Sequence, residues 1–249
     1  MASLVLAVRF LTIVPIAGRE AEGPGALGRA AWWFPVVGLG LGLALVAIDR
    51  VLLLAFPPLL TALLVLTSWK VATGGIHLDG LADCLDGLAG ADAERRLAIM
   101  RDSRVGVFGA VGLILYFMIA AVALADIPVA TGSSILLAAP VVGRLAPLLV
   151  GAWFGPATPE HGAGAWFLRT VPRAAGPAHL AAVLALAGWL LGPWGAGMAV
   201  GALAVVFAWS AVLGRRLSGL TGDVLGAGVE LGELAFVLAG ASCVHLGRI

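Results

Sequence analysis

VGVFGAVGLILYFMIAAVALA, residues 105–125, decides the fold class because it carries no charged side chain over a length that can cross a bilayer. A transmembrane helix needs about 20 predominantly apolar residues. The whole chain of 249 residues is 61% hydrophobic and only 12% charged, with a mean hydropathy of +1.06. A soluble domain carries about 25% charged residues, so too little polar surface is present here to cover a water-soluble globule. We therefore predict a polytopic integral membrane protein.

Further apolar runs lie on both sides of this stretch, and together they predict an all-α transmembrane helix bundle. Glycines inside the first run, Gly38, Gly40 and Gly42, predict a small-residue face at which helices approach closely. Residues 4–17 predict an additional N-terminal helix that is re-entrant or interfacial. The chain is predicted to form a single integral membrane domain over residues 1–249. The seven predicted spans lie at 31–56, 58–76, 105–125, 133–154, 178–192, 194–213 and 224–247.

The segments between the runs alternate in charge. Every second segment is rich in arginine: the N-terminal stretch, 77–104, 155–177 and 214–223. Cytoplasmic loops carry an excess of Lys and Arg, so these four segments are predicted to face the cytoplasm. The net charge of +1 provides no basic field for nucleic acid, and we predict no nucleic-acid partner.

One segment, TGGIHLDGLADCLDGL at 73–88, combines acidic and apolar residues. Asp79, Asp83 and Asp86 stand at i, i+4 and i+7, so they share one face of a helix. Like charges on one face of a membrane-associated helix are costly unless a cation compensates them. Carboxylate oxygens suit Mg²⁺, which typically takes one or two carboxylates plus substrate phosphates. The alternative is a solvated loop whose acids only face water.

Neighbouring residues are candidates for catalysis and phosphate binding. His77 precedes the acidic face and is a candidate base or phosphate contact, while Gly80 would let a phosphate-bearing ligand approach the backbone. In RDSRVGVFG, Arg101 and Arg104 can present forked donors to phosphate, and Ser103 adds a hydroxyl. The alternative is a basic loop that serves only to set topology. A weaker candidate for substrate contact is His161, in a Pro/Gly-rich connection.

A third motif, TGDVLGAGVELGEL at 221–234, brings acids close to the C-terminus. Thr221 and Gly222 are candidate substrate contacts. Asp223 and Glu230 are seven residues apart and share a helix face, which makes both candidate metal ligands.

Two acids of this motif, Glu230 and Glu233, fall inside the last apolar run. Acids inside a membrane are candidates for a functional site. The alternative is an internal ion pair with Lys70 or Arg144, which lie in or beside apolar runs.

Together these motifs resemble the cobalamin synthase family, also called adenosylcobinamide-GDP ribazoletransferase. The resemblance runs along the chain in order, although Ile13 stands where many members place an Arg. The matching motifs are FLTIVP at 10–15, FPVVG at 34–38, TGGIHLDGLADCLDG at 73–87, RDSRVGVFG at 101–109 and TGDVLGAGVELGEL at 221–234.

The resemblance implies a multi-pass transferase of the bacterial inner membrane whose active site faces the cytoplasm. The implied substrates are adenosylcobinamide-GDP and α-ribazole or its 5′-phosphate, with Mg²⁺ as cofactor. The implied products are GMP and adenosylcobalamin or its phosphate. Membrane lipid is an expected partner, and homo-oligomer formation is left open.

Two other functions are considered. A CDP-alcohol phosphotransferase also uses Mg²⁺ and Asp-rich helices, but its signature has D-G-x-x-A-R where this chain has D-G-L-A-D at 79–83. An ion-coupled transporter would use intramembrane acids as a cation path. The chain shows no internal repeat between its halves, and its acids cluster towards one face of the membrane, which disfavours transport.

Overall fold

A computed structural model describes residues 1–19, 23, 25–158 and 162–249. The regular elements in these ranges are helices, which confirms the predicted all-α class; their one β-bridge joins Pro156 and Leu220. The helices are α1 (Ala2–Leu11), α2 (Ala26–Ala30), α3 (Phe34–Leu52), α4 (Pro58–Ala72), α5 (Ile76–Gly87), α6 (Ala93–Met100), α7 (Val107–Asp126), α8 (Val129–Gly151), α9 (Ala163–Thr170), α10 (Ala175–Leu217) and α11 (Gly222–His245), with a short 3-10 turn at Ala31–Trp33.

The described residues contain five helices that are long and apolar enough to cross a membrane, or up to six if the bent pair of α4 and α5 counts as one span. The chain is therefore a multi-pass membrane protein, but this count does not confirm the predicted number of seven. At ten residues, α1 is apolar but too short to span.

The difference in count lies partly in α10, which contains both predicted runs 178–192 and 194–213. Its 43 residues would extend about 64 Å as a straight helix, about twice the thickness of a hydrocarbon core. Leu191 and Gly192 have non-helical dihedral angles, and Gly192 has a φ of +65°. A Cβ on Gly195 would overlap the carbonyl of Ala187, so the two arms fold back against each other at this turn.

The centre of the bundle is α8, which is buried along most of its length and packs against α3, α10 and α11. A Cβ on Gly38 would lie 2.6 Å from the carbonyl oxygen of Pro140, and one on Gly42 would overlap Leu137. These two glycines confirm the predicted small-residue face. The prediction is wrong for Gly40, which faces open space because i and i+2 positions point to different sides of a helix.

The acidic segment forms a separate helix because the chain breaks after α4. Gly74 and Gly75 have φ values of +64° and +69°, which glycine adopts without the steric cost of a Cβ. The bend between α4 and α5 is 94°. As a result, the acids of α5 lie on a short helix at one end of the bundle.

Candidate active site

A cavity of about 610 Å³ lies at the end of the bundle where the four predicted basic segments meet. Its walls are formed by the ends of several helices. Lining residues come from the starts of α3, α5 and α11, from the ends of α1, α6 and α8, and from α9. Backbone hydrogen bonds link two of the connecting segments here: the N–H of Ala157 donates to Leu220 (2.8 Å) and that of Leu220 donates to Gly155 (2.9 Å). The predicted site residues that line the cavity are His77, Asp79, Arg101, Thr221, Gly222 and Asp223.

Close contact between α5 and α11 brings the two acidic motifs together. A Cβ on Gly80 would lie 2.7 Å from the backbone carbonyl oxygen of Asp223, and one on Gly226 would lie 3.3 Å from the Cα of His77. Gly80 was predicted to admit a ligand to the backbone. It is buried and does not line the cavity, so its missing side chain makes room for α11 instead.

Three carboxylates face one another across this helix contact. Asp83 interacts electrostatically with Asp79 and with Asp223, and Asp223 interacts with Asp79. Asp79 is exposed and lines the cavity, Asp223 is partly buried and lines it, and Asp83 is partly buried beside them without lining it. Within the described ranges, neither Asp79 nor Asp83 has an ion-pair partner. No side-chain cation in the described part of the chain therefore offsets the repulsion among these acids at ion-pair distance.

These acids could hold a metal ion only if a bound substrate or water supplied further donor atoms. Among the described residues, no three His, Cys, Asp or Glu side chains are close enough to hold one ion. Mg²⁺ usually keeps several waters and is bound by one or two carboxylates plus substrate phosphates. A cluster of uncompensated carboxylates beside a cavity fits that donor set.

The third aspartate of the predicted acidic face has a different environment. The Asp86 carboxylate accepts hydrogen bonds from the backbone N–H groups of Gly106 (2.8 Å) and Gly109 (2.9 Å), at the start of α7. The first N–H groups of a helix lack partners within the helix, so Asp86 caps α7. Asp86 does not line the cavity, and both oxygens of its carboxylate already accept hydrogen bonds at the start of α7. Its predicted role as a metal ligand stays a prediction.

The residues of the predicted phosphate-binding motif lie in different places. Arg101 lines the cavity, whereas Ser103 and Arg104 are exposed and do not. The guanidinium of Arg104 pairs with Asp102 at 2.6 Å, and its hydrogen bonds lower the pKa of the Asp102 carboxyl to about 2. The Arg104 side chain is 87% exposed, so this pair contributes little to stability.

Below the cavity, a buried network joins α4, α8 and α11. Lys70 Nζ lies 2.5 Å from Glu230 and 2.9 Å from Glu233, and Arg144 Nη1 donates to Glu233. All four side chains are at most 5% exposed. The alternative given for these acids, an internal ion pair with Lys70 or Arg144, is therefore present in the structure. Glu230 does not line the cavity, and Lys70 already supplies a cation to it. Its role as a metal ligand stays a prediction, with the ion pair as a competing role.

Two features of the cavity were missed by sequence reasoning. Arg144 lines it, although the sequence suggested only an ion pair for this residue. Its charge inside an apolar run was a usable signal. The apolar wall includes Phe34, stacked between Phe10 (ring centroids 6.0 Å apart) and Phe167 (5.7 Å). No local pattern predicts this contact, because the three rings come from distant segments. His161 lies outside the described residues.

Comparison with known proteins gives consistent matches along the chain. A family model described as cobalamin-5-phosphate synthase matches residues 3–241. A protein of Pseudomonas savastanoi pv. phaseolicola named adenosylcobinamide-GDP ribazoletransferase is 38% identical over 237 residues, covering 94% of this chain and 96% of its own. Proteins with the same name from Chlorobium phaeobacteroides and Pseudomonas putida are 35% and 39% identical, covering 96% and 94% of this chain and 97% and 95% of their own. No solved structure gives a significant match.

Proposed function

Because the chain belongs to the cobalamin-5-phosphate synthase family, and is therefore an enzyme of cobalamin biosynthesis, we propose that it acts on adenosylcobinamide-GDP in a Mg²⁺-dependent phosphoryl transfer. A hydroxyl of α-ribazole, or of its 5′-phosphate, attacks the corrinoid-side phosphorus. The bond from that phosphorus to the GMP oxygen breaks. The products are GMP and adenosylcobalamin or its 5′-phosphate.

The observation that carries this proposal is the meeting of the α5 and α11 acids with Arg101 at one cavity. Phosphoryl transfer requires little covalent chemistry from the protein, so positioning and electrostatic stabilisation dominate. Asp79, Asp83 and Asp223 would hold Mg²⁺ together with the substrate's phosphates. When bound, the ion neutralises charge on the pyrophosphate and on the departing GMP.

The remaining polar groups have separate tasks in this proposal. Arg101 presents guanidinium donors to a phosphate oxygen as negative charge develops. His77 lines the cavity and is buried, and we assign it the proton released by the ribazole hydroxyl. Thr221 and Gly222, at the start of α11, line the same cavity and would contact substrate there. Ser103 and Arg104 would reach substrate only from outside the cavity.

We place the reaction at the cytoplasmic face of the bacterial inner membrane. The predicted arginine-rich segments converge at the cavity end, and such segments remain on the cytoplasmic side. Tryptophans near this end, Trp153 and Trp166, are exposed, as expected of residues in the interfacial region of a bilayer.

The test is GMP release by the protein in detergent or in lipid vesicles. With adenosylcobinamide-GDP, α-ribazole and Mg²⁺, we expect one GMP per corrinoid product, and no corrinoid product without ribazole. The same assay with α-ribazole 5′-phosphate determines which acceptor is used faster. Absence of GMP with both acceptors, from protein shown to be folded, would overturn the proposed reaction.

A further inference from the structure

Arg144, on α8, is a charged residue at the inner end of the cavity. Its side chain is 1% exposed, yet it lines the cavity beside Pro147 of the same helix and His77 of α5. His77 and Arg144 are close enough to interact electrostatically. Arg144 therefore belongs both to the buried ion network and to the lining of the cavity.

Among the described residues, hydrogen bonds reach one side of this guanidinium group and leave its other edge without a partner. Nη1 donates to Glu233, whereas Nε and Nη2 have no hydrogen-bond partner among the described residues. Nε–H and the nearer Nη2–H point in the same direction along one edge of the planar group. This edge can donate to two oxygens of a phosphate or carboxylate at once. Leaving such charged donors buried without an acceptor is costly, so a partner is expected.

The missing partner is an acceptor supplied from outside the described residues, because both acids of the network are already paired. Lys70 and Arg144 are already matched by Glu230 and Glu233, so the network is neutral without it. An anion entering the cavity meets the uncompensated acids of α5 and α11, which repel it. Two charged donors of Arg144 aimed at the ligand would offset part of that repulsion.

We propose that the Nε/Nη2 edge of Arg144 binds two oxygens of the substrate's diphosphate group and fixes its depth in the cavity. The identity of the diphosphate as that of adenosylcobinamide-GDP rests on the proposed function; the anion site itself does not. Lysine cannot replace arginine here, because an ammonium group is a point charge without the planar pair of donors.

The probe is inorganic pyrophosphate, titrated calorimetrically into purified protein in the presence of Mg²⁺. The variant Arg144→Lys keeps the positive charge that faces Glu233 but loses the edge. We expect its Kd for pyrophosphate to rise about 10-fold or more, equivalent to one charge-assisted hydrogen bond. The matched control is Arg50→Lys: Arg50 is exposed at the other end of the bundle, where it donates to Ser133 (2.6 Å), and its Kd should not change.

A purely structural role for Arg144 would lower the melting temperature of the lysine variant and leave its Kd for pyrophosphate unchanged, which overturns the proposal. If that variant does not fold, the double variant Arg144→Gln/Glu233→Gln removes both charges and leaves the Lys70–Glu230 pair neutral. It should show the same loss of pyrophosphate binding, and wild-type affinity in it also overturns the proposal. Wild-type protein that binds pyrophosphate but forms no GMP contradicts the proposed reaction alone.

Discussion

Replacing Glu230 with glutamine separates a structural role for this residue from a metal-binding one. In the structure, Glu230 lies 2.5 Å from Lys70, which also contacts Glu233 at 2.9 Å. The substitution keeps the side-chain shape but leaves two buried cations facing one buried anion. Breaking a buried ion pair costs about 3–5 kcal/mol. Because Glu233 remains in contact with Lys70 and the glutamine oxygen can still accept a hydrogen bond, we expect about 2–3 kcal/mol.

Thermal unfolding in detergent, followed by circular dichroism, measures this cost. For a chain of this size, 2–3 kcal/mol corresponds to a melting temperature roughly 5–10 °C lower. Glu94→Gln is the matched control, since Glu94 is exposed on α6 and its replacement should change stability by less than about 0.5 kcal/mol. The double variant Lys70→Gln/Glu230→Gln restores neutrality with Arg144 and Glu233. It should therefore be less destabilised than the sum of the two single variants.

The ion-pair interpretation also predicts that the Mg²⁺ dependence of the remaining activity stays unchanged in Glu230→Gln. An unchanged melting temperature together with a weakened Mg²⁺ activation would refute the reasoning. That result would mean that Glu230 binds the metal and that its pair with Lys70 does not stabilise the fold.

Two further predictions concern helix contact and topology. Gly80→Ala should abolish most transferase activity and destabilise the fold by about 1–3 kcal/mol, because its Cβ would lie 2.7 Å from a backbone oxygen of α11. Activity assays and unfolding measurements should show no such loss for the control Gly40→Ala, because a Cβ at residue 40 meets open space. Ser103→Cys should be protected from an impermeant thiol reagent added outside intact cells, whereas Asp126→Cys at the opposite end of α7 should react. The reverse labelling pattern would mean that the cavity end of the bundle faces the outside of the cell.

Sequence patterns predicted the elements of the site better than the connections between them. The i, i+4, i+7 spacing of Asp79, Asp83 and Asp86 correctly predicted one helix, α5. That spacing could not predict that Asp86 would be engaged by the start of α7, because the capping contact is formed by residues 20 and 23 positions away. Helical periodicity defines a face but not which neighbour covers it.

The same limit applies to the membrane-spanning part of the chain. Hydropathy identified both arms of α10, but only the glycine contact between the arms shows that they pack against each other. For Glu230 and Glu233, the sequence left an internal ion pair as the alternative to a functional site, with Lys70 and Arg144 as candidate cations. Choosing between them required the packing of α4, α8 and α11, which places Lys70 against Glu230 and Arg144 against Glu233.

The measurement that tests the central claim most directly is the initial rate of GMP release, as a function of Mg²⁺ concentration, in aspartate-to-asparagine variants. Asp→Asn keeps size and hydrogen bonding but removes the charge that a metal needs. We expect Asp79→Asn and Asp83→Asn to lose about 100-fold or more in rate while remaining folded in membranes, equivalent to about 3 kcal/mol of transition-state stabilisation. Asp126→Asn, an exposed acid at the far end of α7, should retain the wild-type rate. Near-normal rates of Asp79→Asn and Asp83→Asn, at saturating substrate and ordinary Mg²⁺, would contradict a metal-dependent phosphoryl transfer at these acids.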